Sequence, residues 1–78
     1  MRGRLPPLSG REVIVALEKA GYIIVRQRGS HIRMRCLGDT ARRPVTVPAH
    51  REVKPDLLRK IIRDADLTVE EFMELLRG

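Results

Sequence analysis

Tryptophan and asparagine are absent from this 78-residue chain, cysteine occurs once, and Tyr22 and Phe72 are its only aromatic side chains. So few rings leave no platform on which successive unpaired bases would stack, which excludes the common aromatic readers of single strands. The lone Cys36 excludes a disulfide-stapled scaffold and reads as a small buried hydrophobe in a strand-like run. No apolar run approaches the roughly 20 residues that a membrane-spanning helix needs, so no membrane partner is expected. The start, MRGRLPPLSG, is not followed by the apolar stretch of a signal peptide, and the expected location is the cytoplasm. No Asp, Glu and His cluster at ligand spacing, so neither a metal nor another cofactor is implied.

Acidic residues are also missing from one long stretch, with none between Glu18 and Asp39. Residues 1–51 hold 11 basic and 3 acidic side chains, a net of +8; residues 52–78 hold 5 and 7, a net of −2. This segregation points to a polyanion as partner, most simply a nucleic acid. Arginine outnumbers lysine 13 to 3. A biased nucleotide composition explains that choice but not the segregation. Base-reading residues are scarce, with Gln27 the only carboxamide, so direct DNA binding by this chain alone is not expected.

What is present divides cleanly into elements. Ser9-Gly10-Arg11-Glu12 matches a capping box, and Val13, Ile14, Ala16, Leu17 and Ala20 follow at helical spacing until Gly21. From Tyr22 the period drops to two. Tyr22–Arg28 and His31–Leu37 read as strands joined by Gly29-Ser30, a type II′ hairpin signal. Pro44–Pro48 reads as a short strand fenced by prolines, hence at a sheet edge. Pro55 suits the first turn of a second helix carrying Leu57, Leu58, Ile61, Ile62 and Ala65. Thr68-Val69-Glu70-Glu71 is a second capping box, opening a third helix with Val69, Phe72, Met73 and Leu76 on one stripe. The expected fold is α+β, in the order α-β-β-β-α-α, with the helices on one face of a three-stranded antiparallel sheet. It forms one domain, residues 1–78, with residues 1–8 expected as a flexible N-terminal segment.

The hairpin's parity sets the chemistry. A two-residue turn pairs Arg28 with His31 and Arg26 with Arg33, and an unbroken register continues to Ile24 with Arg35 on the same side. The opposite side then carries Gln27 with Ile32, Val25 with Met34 and Ile23 with Cys36. Arg26, Arg28, Arg33 and Arg35 therefore share the solvent face with His31. Like charges directly opposite destabilise a sheet, and a bound phosphate would relieve them. Gly29 and Ser30 add backbone amides and a hydroxyl beside the turn.

His31 is the natural proton carrier on this face, since imidazole exchanges protons near neutral pH. RNA offers the matching substrate, because its 2′-hydroxyl attacks the adjacent phosphate once deprotonated and arginines stabilise the resulting charge. His50 follows the proline-bounded strand; capping the next turn is its simpler role, lining the same face the sharper one. Lys54 and Lys60 are within reach of phosphate, with solvated helix surface as their ordinary use. From the residues alone a non-catalytic RNA-binding module stays open.

With LSGREVIVALEKAGY, RQRGSHIRMR, RPVTVPAHREVKPDLLRKII and LTVEEFMELL in place, the chain resembles the HicA family of toxin–antitoxin systems, from about Leu5 to Leu76. The most specific element is Gly29-Ser30-His31 after a basic strand. The resemblance implies a double-stranded-RNA-binding-domain-like fold and a metal-independent endoribonuclease acting on mRNA. It carries the catalytic histidine onto His31 and the turn glycine onto Gly29, and implies a HicB-type antitoxin as protein partner. Ile32 stands where many relatives have a second histidine, and Pro55-Asp56 where many have Gly-Thr.

Overall fold

The computed structural model describes residues 5–39 and 41–78. The elements come in the expected order: α1 Gly10–Lys19, β1 Tyr22–Arg28, β2 His31–Cys36, β3 Val45–Pro48, α2 Pro55–Asp64 and α3 Val69–Arg77. The strands form one antiparallel sheet in the order β1-β2-β3, and β3 lies at an edge as its prolines require. Among the described residues, no helix is long and apolar enough to cross a membrane.

Both capping boxes form. The Ser9 hydroxyl accepts from the Glu12 N–H at 3.1 Å, and the Glu12 carboxylate accepts from the Ser9 N–H at 2.9 Å. Thr68 and Glu71 repeat the exchange at 3.0 and 2.8 Å. Each exchange satisfies amides that a helix start would otherwise leave unpaired. At the other end of α1, Gly21 takes φ 100°, a conformation that suits glycine as the stop.

One apolar layer holds the elements together. Ile32, Met34, Val45 and Val47 point from the sheet into a cluster with Val13, Ile14, Leu17, Leu58, Ile61, Ile62 and Phe72, all buried. Each such side chain contributes roughly 1.5–3 kcal/mol when fully withdrawn from water. Alternate residues of β2 thus enter the core while His31, Arg33 and Arg35 stay exposed. Leu57, counted with the apolar stripe of α2, is instead exposed. Cys36 is half-buried rather than buried.

The register departs from expectation at one residue. Arg28 faces His31, Gln27 faces Ile32 and Arg26 faces Arg33, but β1 then bulges at Val25. Beyond it Ile24 faces Met34, Ile23 faces Arg35 and Tyr22 faces Cys36, each one residue off the unbroken register. An extra residue in a strand reverses the side to which earlier side chains point. The gain is Tyr22: its ring enters the core and its hydroxyl donates to the Arg43 carbonyl at 2.8 Å. Ile23, Ile24 and Val25 are left 38, 46 and 45% exposed.

The segment 1–8 is not all loose. Leu8 is buried and pairs with Val53, whose N–H donates to the Leu8 carbonyl at 2.7 Å. Residues 1–4 lie outside the described part. Just beyond, Gly10 is buried against the Pro48–Ala49 backbone and donates its N–H to the His50 carbonyl at 2.9 Å. A methyl group at Gly10 would run into the Pro48 carbonyl oxygen.

Two outcomes follow. Gly10→Ala is expected to unfold the chain or lower its urea midpoint by far more than Ser9→Ala, whose lost cap costs about 1 kcal/mol. Tyr22→Phe loses a hydrogen bond worth about 0.5–1.5 kcal/mol near neutral pH. Burial, followed by the neighbouring Cys36, raises the Tyr22 pKa above its ordinary 10.0. The phenol's contribution is therefore full below that value and lost as pH climbs through the raised one. Alkaline denaturation midpoints should show the wild type losing stability over that range more steeply than Tyr22→Phe.

Candidate functional site

The site is built on the β1–β2 hairpin. Gly29 takes φ 59° and Ser30 does not take a positive φ, the pattern of a II′ turn that matches the strands' twist. The turn sets Arg28 opposite His31 and Arg26 opposite Arg33 on the face away from the core. On the other side of β2, Pro48 faces His31 and Thr46 faces Arg33. The Arg33 guanidinium donates to the Thr46 hydroxyl at 3.2 Å, which holds its long side chain across the strands.

Two depressions open on this face and share His31, Arg33 and Thr46. The smaller, about 170 Å³, adds Arg26 and Arg28. The larger, about 370 Å³, continues past β3 to α2, where Lys60, Asp64 and the exposed Leu57 form its wall, and His50 lines it as well. His31 stands at the seam of the two. Lys60 and Asp64 meet at 3.0 Å, one turn apart on α2. The lysine side chain is 61% exposed. Such an exposed pair is worth little to stability.

Of the expected site residues, Arg26, Arg28, His31, Arg33, His50 and Lys60 come together here. Gly29 and Ser30 form the turn beside His31 without lining either depression. Arg35 keeps to the same face of β2 but lies opposite Ile23, beyond the bulge. Lys54 is the N-cap residue of α2 and lines neither depression. Thr46 and Asp64 were not foreseen. The alternation in Pro44–Pro48 carries the signal for Thr46, since Val45 and Val47 in the core turn it toward Arg33. Among the described residues, no three His, Cys, Asp or Glu side chains are placed to hold a metal ion.

A cationic sheet face carrying a histidine, backed by helices on the opposite side, defines a small α+β protein. The chain belongs to the HicA toxin family: the profile described as HicA toxin of bacterial toxin–antitoxin matches residues 10–67. The match runs from the first residue of α1 to the segment before α3 and takes in every residue of both depressions. No curated protein and no solved structure matches the chain.

The facing pair Arg26 and Arg33 is a stability defect as it stands. Arg26→Glu should raise stability by about 0.2–1 kcal/mol, because opposite charges across a strand pair attract where like charges repel. Urea denaturation at low salt would show it, and a loss of stability would contradict the pairing.

Proposed function

We propose that this chain is an endoribonuclease toxin that cleaves mRNA with His31 as the proton-transfer group. The observation that carries this reading is the position of His31 at the seam of two cationic depressions, between Arg28 and Arg33. Family membership supports the toxin role, and ribonucleolytic activity is the chemistry that the residues serve best.

A phosphodiester laid on this face meets Arg26, Arg28 and Arg33 from below. Their mutual repulsion falls when a phosphate sits among them, which favours binding. His31 accepts the proton of the 2′-hydroxyl, and the freed oxygen attacks the adjacent phosphorus. Guanidinium groups fixed around the phosphate stabilise the extra charge of the phosphorane, the Arg33 side chain being held for this by Thr46. The contacts in these steps are to the phosphate backbone, which position the strand without reading its sequence. A HicB-type antitoxin is the fitting protein partner, neutralising the toxin by covering this face, and the mRNA target sets the action in the cytoplasm.

Tightly controlled expression of wild type and His31→Ala tests the reading. Wild type should arrest growth and fragment mRNA, and His31→Ala should lose about 10²–10⁴-fold in cleavage rate, the share of a positioned acid–base group. An alanine variant that cuts as fast as wild type would remove His31 from the chemistry. Retained RNA binding without cleavage by either protein would make the chain a non-catalytic RNA-binding module of the double-stranded-RNA-binding-domain kind.

A further inference from the structure

Cleavage through the 2′-hydroxyl moves two protons, one off O2′ and one onto O5′. The attacking and leaving oxygens lie on opposite sides of the phosphorus in an in-line displacement, so a single imidazole beside O2′ is badly placed to serve O5′. A second donor is needed across the phosphate from His31. The following inference rests on the ribonucleolytic reading above and names that donor.

The larger depression narrows the choice. Besides His31, its wall offers Arg33, Thr46, His50, Lys60 and Asp64 as polar groups. Arginine does not give up a proton in the working range, and the Thr46 hydroxyl, which accepts from Arg33, is as an alcohol far too weak an acid. Lysine ammonium groups release protons near pH 10, far from neutral, so Lys60 offers the phosphate a charge rather than a proton. Carboxylates carry no proton to give near neutral pH, which sets Asp64 aside. His50 is the remaining group, and imidazole is the side chain matched to proton delivery at neutral pH.

Its placement is also fixed by the fold. The Ala49 N–H donates to the Ser30 carbonyl at 2.6 Å, which ties the segment carrying His50 to the residue just before His31. The His50 carbonyl in turn accepts the Gly10 N–H at the start of α1. The two histidines thus hang from chain segments joined by one backbone hydrogen bond, with both side chains exposed to the same depression.

We propose that His50 is the general acid of the cleavage reaction, complementary to His31 as base. His31 takes the 2′-hydroxyl proton as the O2′–P bond forms. The P–O5′ bond breaks, its electron pair stays on O5′, and that oxygen takes a proton from the His50 imidazolium. The products are a 2′,3′-cyclic phosphate and a 5′-hydroxyl end. His31 is left protonated and His50 neutral, and exchange with water resets both. Leu57 and Ile61 on the α2 side add an apolar flank against which a sugar or base can rest.

The test uses an RNA that the wild type cleaves, remade with sulfur in place of the bridging 5′ oxygen at the cleaved linkage. A thiolate leaves without a proton, so the need for an acid disappears. His50→Ala should cut the oxygen-linked RNA about 10²–10⁴-fold more slowly than wild type and approach the wild-type rate on the sulfur-linked one. His31→Ala should be slow on both. Recovery on the sulfur substrate also shows that His50→Ala is folded. The proposal is overturned if His50→Ala cleaves the oxygen-linked RNA at the wild-type rate, if its defect is the same on both substrates, or if sulfur rescues His31→Ala instead. An inactive His31→Ala beside a fully active His50→Ala leaves the ribonuclease reading standing and removes His50 alone. A wild type that cleaves no RNA ends both.

Discussion

Arg26 and Arg33 stand opposite one another on adjacent strands and repel, and the hairpin keeps them there because its other face is anchored in the core. Ile32 and Met34, the residues that alternate with the cations of β2, are buried against the helices. Sliding the register by one residue would drag those two side chains into water, costing several kcal/mol by area, against a few tenths regained from separating the charges. The apolar layer therefore sets where the arginines must be. A site of like charge is sustained by packing on the far side of the same strands.

That arrangement was readable wherever alternation and turn chemistry agree. Gly29-Ser30 fixes the turn, β2 alternates without a break, and both capping boxes open helices where Ser9 and Thr68 announce them. The register failed at Val25, since β1 reads as a nearly unbroken aliphatic run, Ile23-Ile24-Val25, in which an inserted residue leaves no mark. What decides the bulge is Tyr22, whose ring has a core site and whose hydroxyl finds Arg43 only if parity reverses. Leu8 and Gly10 escaped for a different reason: both are fixed by partners some 40 residues away, Val53 and the Pro48–His50 backbone, which local pattern does not see.

The site was legible in the same uneven way. Arg26, Arg28, His31 and Arg33 follow from one hairpin and could be placed together from spacing alone. Arg35 shares their parity but not their position, because the depressions lie at the turn end of the hairpin. The second half of the site comes from the β3 end and from α2, which meet the hairpin only in three dimensions. His50 and Lys60, which the sequence offered only as candidates, and Thr46 and Asp64, which it did not mark, turn a flat basic patch into a cleft with walls.

The bulge at Val25 has a bearing on how the chain behaves in solution. Among the described residues β1 is an edge strand, and it carries three consecutive aliphatic residues, the kind of segment that templates strand-on-strand growth between copies. An extra residue in that edge breaks the row of amides and carbonyls that a second chain would need to match, and Arg26 and Arg28 follow directly as repulsive gatekeepers. The same residue that spoils a simple register thus makes this edge a poorer template for cross-β pairing.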